Sequence, residues 1–320
     1  MELKELIERY VSNDDIWLYN TGNARRAYHA LGCRYIPECG MHRFAVWAPH
    51  AREVSVVGDF NGWDGYAHPM WRRDDEIWVT FIPGLKNGDI YKYRVVGEDW
   101  NTVLKADPFA FHAETGPATG SKIWDIEGYE WTDSDYMEKR RGKDSVHAPM
   151  SIYEMHMGSW HCKPVYDENG KQLTPEEVIE TDRVAEGWYT YREIAPMLVE
   201  YLKEQGYNYV EFMPLSEHPC DESWGYQNTG FFSPTARYGT ADDLKFLIDT
   251  LHKNGIGAIM DYVPVHFALD GYGLAKYDGT NLYEHPTDDV GYSEWGSKNF
   301  IHSKGEVQEC GELLAHRVSF

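Results

Sequence analysis

Apolar and polar residues alternate with a period of two between residues 21 and 127. Val54 and Val56 are separated by one polar residue, and their run ends at the turn signal Asn61-Gly62. Two later runs show the same alternation, at Ile77, Val79 and Phe81 and at Tyr91, Tyr93 and Val95. Short strands separated by Gly, Pro and Asn are typical of an all-β, immunoglobulin-like sandwich, and residues 21–127 are predicted to form one.

The segments on either side of this predicted sandwich follow other patterns. Leu3, Leu6 and Ile7 fall on one face of a helix. We therefore predict an N-terminal helical segment at residues 1–20. Residues 128–148 are charged and follow no clear period, which indicates a linker.

From residue 149 onward, short apolar runs alternate with helical stripes. The first stripe recurs at helical spacing, at Ile194, Leu198 and Leu202. Gly206 is its stop signal, and Pro196 is expected in the first turn, where proline is tolerated. Thr240 is the predicted N-cap of a second helix. Strand, helix, strand, helix, strand predicts three parallel strands with right-handed crossovers in residues 149–320.

Charge and composition narrow the classes of partner. The formal net charge is −22, which argues against nucleic acid and against an anionic membrane surface, since both need a basic patch. The chain carries 12 Trp and 23 Tyr. Such amphipathic rings suit surfaces that hold neutral polar ligands such as sugars.

The pattern of cysteines and the absence of cofactor-binding motifs predict a cytoplasmic protein without a cofactor. The five cysteines are scattered and form no C-x-x-C pair, which favours reduced thiols in the cytosol. The N-terminus has no apolar signal core, and no apolar stretch approaches the ~20 residues needed to cross a bilayer. Phosphate-loop, dinucleotide, zinc and G-x-S-x-G patterns are also absent from the sequence, so we expect neither metal nor cofactor.

Five motifs occur in order and together resemble one enzyme family. They are GDFNGWDG, YEMHMGSW, WGYQNTGFFSPTARYG, DYVPVHF and YDGTNLYEH. From about residue 20 to about 307 the chain resembles the 1,4-α-glucan (glycogen) branching enzymes of the α-amylase superfamily. The resemblance implies a glycogen-binding-type sandwich followed by the first part of a catalytic (β/α)₈ barrel. It also implies a retaining reaction, in which an α-1,4-glucan chain is cut and passed to a 6-hydroxyl, for glycogen biosynthesis.

The resemblance assigns roles to four residues near the ends of the predicted strands. Asp261 would support the catalytic groups, and His266 would donate a hydrogen bond to the sugar at the cleavage point. Tyr226 would stack on that sugar, with Gln227 beside it. Many α-amylases carry a calcium-ligating Asn where this chain has Val265, so we predict no calcium there.

Two tryptophans are further candidate glucan contacts. Trp63 follows the turn of the GDFNGW motif, where an exposed ring would suit stacking, although a tucked aromatic fits the pattern equally well. Trp224 lies in the Gly- and Pro-rich loop before Tyr226, where it could contact sugar or simply pack.

The chain is expected to lack the two catalytic acids. A (β/α)₈ barrel takes about 250 residues, and residues 149–320 suffice for only about three strands. The family's nucleophilic Asp and acid/base Glu would follow strands four and five, and no D-G-x-R-x-D segment is present. The divergent tail at 308–320 favours a frameshift or premature stop near Val307. We therefore expect a truncated, inactive fragment.

Two other readings remain open from the sequence. The chain could be a non-catalytic α-glucan-binding protein in which the sandwich does the binding. It could also derive from a debranching enzyme or a trehalohydrolase that shares the sandwich. The motifs favour branching, but barrel loops largely set specificity.

Overall fold

The computed structural model describes residues 3–24, 26–142 and 147–308. The strands are, in chain order, β1 (Gly32–Ile36), β2 (Met41–Trp47), β3 (Glu53–Gly58), β4 (Trp71–Arg72), β5 (Ile77–Pro83), β6 (Ile90–Val96), β7 (Thr102–Lys105), β8 (Ser121–Lys122), β9 (Ile152–Met155), β10 (Tyr209–Phe212), β11 (Ser216–Glu217), β12 (Gly230–Pro234), β13 (Gly257–Met260), β14 (His266–Phe267) and β15 (Lys298–Asn299). The α-helices are α1 (Leu3–Tyr10), α2 (Asn13–Asn20), α3 (Ser134–Arg141), α4 (Met157–Trp160), α5 (Pro175–Glu180), α6 (Tyr191–Gln205), α7 (Ala241–Lys253) and α8 (Asp288–Gly291). The predicted divergent tail falls, after Gln308, outside the described residues.

These residues form two compact units. The sandwich unit holds the chain up to Asp125, together with Ser216–Pro234 and the residues from Tyr262 onward. The parallel-sheet unit holds Ile126–Leu215 and Thr235–Asp261. The boundaries drawn from sequence, at 20, 127 and 148, remain a prediction. The predicted linker carries helix α3, a helix that the sequence pattern did not indicate.

Two antiparallel sheets build the sandwich. One has the strand order β1-β2-β5-β4, and the other has β3-β6-β7 with β8 added beside β6. The sheets meet through Phe44 and Tyr91, whose ring centroids are 5.1 Å apart and nearly perpendicular. The Tyr91 hydroxyl donates to Asp107 at 2.7 Å, and burial raises the pKa of that carboxyl group. The alternating pattern thus gives the predicted strands; β6 alternates between buried and half-buried residues, whereas β2 and β3 are buried on both faces.

A buried arginine joins the N-terminal helices to the sandwich. Arg43 lies on β2 and is 1% exposed. Its guanidinium donates to the carbonyl oxygens of Tyr10 and Leu31, at 3.0 and 3.1 Å, and also to that of His29. The planar guanidinium can serve several acceptors at once, so the helical segment is held in a fixed position on the sandwich.

The parallel-sheet unit has the strand order β13-β10-β9. Its central strand β10 pairs in parallel with both neighbours, with Val210 opposite Tyr153 and Ala258. Helices α6 and α7 connect the strands, as the helical stripes predicted. Their apolar faces pack into one core, which includes the fully buried Leu198, Leu202, Leu247 and Leu251.

The helix ends follow the expected capping chemistry, with one correction. The Thr240 hydroxyl accepts from the Asp243 N–H at 3.3 Å, which confirms that N-cap. The first-turn position expected for Pro196 is wrong, because α6 begins at Tyr191 and Pro196 lies inside it. A capping box between Thr190 and Glu193 starts the helix one turn earlier than the apolar stripe indicated.

Lys105 fixes the segment that follows β14. Its side chain is buried, and Nζ donates to the carbonyl oxygens of Gly271, Gly273 and Ala275, at 2.7, 3.2 and 2.6 Å. An ammonium has three donors, and each has a partner here. Burial lowers the pKa of Lys105 to about 8, so the charged form still predominates at pH 7.

Neighbouring groups hold the same segment. The Ala106 N–H donates to the Tyr272 carbonyl at 2.7 Å, and the Tyr277 hydroxyl donates to the Ala106 carbonyl at 2.9 Å. Asp278 accepts from the His50 backbone N–H at 3.0 Å. The segment is therefore part of the sandwich unit rather than a free loop.

Candidate functional site

One side of the site is the loop between β11 and β12. The two strands pair antiparallel and close the loop at its base. Trp224 is 64% exposed, whereas Tyr226 and Gln227 are half-buried. The Asn228 side chain donates to the Gly225 carbonyl at 2.8 Å and so holds the loop's bend.

The other side is the two-stranded antiparallel sheet of β14 and β15, which carries His266. His266 pairs with Asn299 across this sheet. Next to this pair, Phe267 packs on Phe300 with ring centroids 4.6 Å apart. The Ala268 N–H donates at 3.1 Å to the carbonyl of Asn228, which connects the two sides of the site.

Trp295 brings Gln227 and His266 together. The Gln227 Nε2 group donates to the Trp295 carbonyl oxygen at 3.1 Å. The His266 imidazole lies 5.7 Å from the Trp295 ring, centroid to centroid, at an angle of 37°. Two of the sequence-predicted site residues thus converge on a third residue that the motif analysis did not single out.

His266 is a buried and neutral side chain with unused hydrogen-bonding capacity. It is 6% exposed, and burial lowers its pKa. Its Nδ1 atom makes no hydrogen bond within the described part of the chain. Buried polar atoms are nearly always paired, so such an atom beside an exposed aromatic ring fits a position where a ligand supplies the partner.

Asp261 lies in the parallel-sheet unit, directly after the end of β13. Its N–H donates to the Phe212 carbonyl at 2.9 Å, which continues the ladder by one residue, and its side chain is half-buried. The strand end is where (β/α)₈ enzymes place chemistry. The supporting role of Asp261 remains a prediction.

Trp63 stands on the sandwich, in the turn that the sequence indicated. It is 40% exposed, and its Nε1 donates to the Asp59 carboxylate at 2.8 Å. Gly62 and Trp63 both have left-handed backbone angles, with φ of 63° and 62°. A bulky residue rarely adopts that conformation, and here it holds the indole in a fixed orientation with one part open to solvent.

A groove of about 1080 Å³ lies between the N-terminal helices and β4. Trp17 from α2 and Trp71 from β4 line it and are 64% and 63% exposed. Hydrogen bonds hold the two sides of the groove together, because Arg73 donates to the Val11 carbonyl at 2.8 Å and to the Asn13 side chain at 2.7 Å. Two open indoles in one groove suit an elongated ligand with apolar faces.

In the three described ranges, no group of three or more His, Cys, Asp or Glu side chains is placed to hold a metal ion. None of the helices described above has the length and apolar character that a bilayer span requires.

Comparison with protein families matches two parts of the chain. Residues 30–110 match carbohydrate-binding module 48 (isoamylase N-terminal domain). Residues 191–290 match the α-amylase catalytic domain. The first match covers most of the sandwich, and the second contains β10 to β14 and the Gln227 and His266 positions.

Curated relatives named 1,4-α-glucan branching enzyme GlgB match nearly the whole chain. The protein from Thermosynechococcus vestitus is 46% identical over 301 residues, covering 92% of this chain and 39% of its own length. The one from Aromatoleum aromaticum is 47% identical over 309 residues, covering 95% and 44%. The chain thus spans about two fifths of the length of these relatives, and the resemblance to the N-terminal portion of branching enzymes is confirmed.

A solved structure from Salmonella typhimurium, named as an alpha amylase, shares the fold. It has a TM-score of 0.63 with 22% sequence identity, and the match covers 90% of this chain and 42% of the solved one. The agreement shows that the two chains share a fold over most of this chain.

Proposed function

We propose that this homologue of the N-terminal portion of the 1,4-α-glucan branching enzymes binds an α-1,4-glucan chain at the site of Tyr226, Gln227 and His266. The observation that carries the proposal is the convergence of Gln227 and the buried His266 on the exposed Trp295. A glucosyl unit has apolar C–H faces and a rim of hydroxyl groups. Aromatic rings and buried polar side chains match those two surfaces.

In the complete enzyme, such binding would place one glycosidic bond at the catalytic acids. The retaining reaction needs a nucleophilic carboxylate and an acid/base carboxylate about 5 Å apart. In this proposal, Tyr226, Gln227 and His266 hold the sugar. Asp261 supports the catalytic groups. Transfer of the cut chain to a 6-hydroxyl in the cytoplasm completes the proposal.

Replacing His266 tests the binding site. We expect His266→Ala to weaken maltoheptaose binding about tenfold, because a buried hydrogen bond to the sugar is worth about 1–2 kcal/mol. Isothermal titration calorimetry on the 320-residue chain measures this. His161→Ala, at an exposed histidine of the parallel-sheet unit, is the control. Equal affinity of the wild type and His266→Ala would place the glucan elsewhere.

The 320-residue chain alone is expected to leave glucans unbranched. Its sequence contains no D-G-x-R-x-D segment, where the resemblance places the nucleophile. An iodine-stain assay on amylose, with a full-length relative as positive control, measures branching. Turnover by the chain would contradict the assignment of the nucleophile to that segment.

Glucan binding without catalysis is the second candidate function. The groove beside the N-terminal helices favours it, since Trp17 and Trp71 are both largely open to solvent there. Trp63 offers a further indole on the same sandwich. These surfaces would hold a polysaccharide whether or not the acids are present.

A further inference from the structure

We infer that Trp295 is a stacking platform for a glucosyl unit of the bound glucan, next to the hydroxyl group that His266 contacts. The inference rests on the proposed function and deepens it. It adds an aromatic contact that none of the sequence motifs assigned and that sets how firmly the sugar is held at this site.

The backbone around Trp295 is fixed although its side chain is open. A tight turn spans residues 293 to 297, closed by the Ser293 N–H donating to the Ser297 carbonyl at 2.9 Å. The Ser293 hydroxyl oxygen accepts from the N–H groups of Trp295 and Ser297, each at 3.2 Å. Gly296 supplies the left-handed angle, with φ of 72°, that the turn requires. A pre-ordered platform loses little conformational entropy when a ligand binds.

The indole of Trp295 is 65% exposed, so it does not serve as a core side chain. Trp160 shows the contrasting case. It is partly buried, its Nε1 donates to the Tyr153 hydroxyl at 3.1 Å, and its ring packs 5.5 Å from that of Tyr201. A large ring held open on a rigid turn leaves an apolar face available to stack on a ligand.

The neighbours of Trp295 supply the polar half of a sugar site. Gln227 fixes the turn through its hydrogen bond to the Trp295 carbonyl. The imidazole of His266, 5.7 Å from the indole, carries an Nδ1 atom with no hydrogen bond in the described chain. A glucosyl unit lying on the indole would bring its hydroxyl rim to that imidazole. The apolar face of the Trp295 indole and the buried Nδ1 atom of His266 would therefore contact the same glucosyl ring.

Fluorine NMR on the intact chain tests the inference. The protein is labelled with 5-fluorotryptophan, and the signal missing from Trp295→Phe identifies Trp295. We expect that signal to shift on titration with maltoheptaose, with an unchanged spectrum on addition of sorbitol. Trp295→Ala should weaken maltoheptaose binding about fivefold to tenfold, and Trp295→Phe, which keeps an aromatic face, should recover most of that loss.

The outcomes separate this inference from the proposed function. If His266→Ala weakens binding while the Trp295 signal stays in place and Trp295→Ala binds normally, the sugar sits at the site without using this platform, and the inference is overturned. If neither His266→Ala nor Trp295→Ala changes the affinity, the proposed binding site fails, and the inference fails with it.

Discussion

Replacing Lys105 with methionine is expected to open the segment at residues 271–275 and to cost about 3 kcal/mol of stability in the sandwich unit. The substitution removes the donor of three carbonyl oxygens, one buried and two partly buried, and an acceptor left buried and unpaired typically costs about 1–3 kcal/mol. It also removes an ammonium group that the buried carboxyl groups of Asp278 and Glu284 help to keep charged. Relief of the desolvation of the ammonium offsets part of this cost.

Hydrogen exchange followed by mass spectrometry locates the effect. Amides of the segment after β14 should exchange about a hundredfold faster in Lys105→Met, since 1.4 kcal/mol corresponds to a factor of ten. Lys86→Met is the matched control, because Lys86 is an exposed lysine of the same sandwich. Unchanged protection at residues 271–275 would show that the backbone contacts of Ala106 hold the segment without the lysine.

Removing both indoles of the N-terminal groove is expected to abolish most binding to glycogen. In Trp17→Ala/Trp71→Ala the two exposed aromatic faces are lost, and each stacking contact is worth about 0.5–1.5 kcal/mol. The fraction that co-sediments with glycogen should fall about tenfold or more at a fixed concentration of polymer.

The control for this experiment is Tyr35→Ala, which removes a half-exposed ring from β1, on the same unit and outside the groove. Trp63→Ala distinguishes the two binding surfaces of the sandwich. If only Trp63→Ala lowers co-sedimentation, the turn of the GDFNGW motif binds the polymer and the groove does not.

Local patterns predicted the longer strands and the helices α6 and α7, because each is specified by residues close in sequence, but they did not indicate α3. The alternation of Val54 and Val56 gives β3, and the hydroxyl of Thr240 caps α7 as its position indicated. The start of α6 was placed too late because the capping pair of Thr190 and Glu193 precedes its apolar stripe. Pro196 is accommodated inside that helix, although an interior proline costs it one hydrogen bond.

Which distant segments of the chain join the same unit could not be predicted from local patterns. Lys105 reads as the polar end of a strand, and its partners lie about 170 residues later in the sequence. A side chain that donates to backbone carbonyls needs no particular residue type opposite it. The sequence of the acceptor segment therefore gives no sign of the contact. Arg43 was missed for the same reason, since it too donates to main-chain oxygens of a distant segment.

Part of the candidate site could be proposed from the sequence. The resemblance identified Gln227 and His266, which the structure brings together through Trp295. Trp295 directly precedes a glycine, and this pattern is typical of an exposed turn. It was the one feature of the sequence that could have indicated an exposed indole here. No sequence pattern indicated the groove of Trp17 and Trp71, because the two residues lie far apart in the sequence.

The packing of the segment after β14 onto β7 has a consequence for engineering. A carbohydrate-binding module cut out at residue 127, where the sequence pattern places the end of the sandwich, would leave the segment at residues 271–275 behind. Such a module would arrive without the main-chain oxygens of Gly271, Gly273 and Ala275, to which Lys105 donates. A chimera of this protein should therefore transplant the module and the segment at residues 270–284 as one piece.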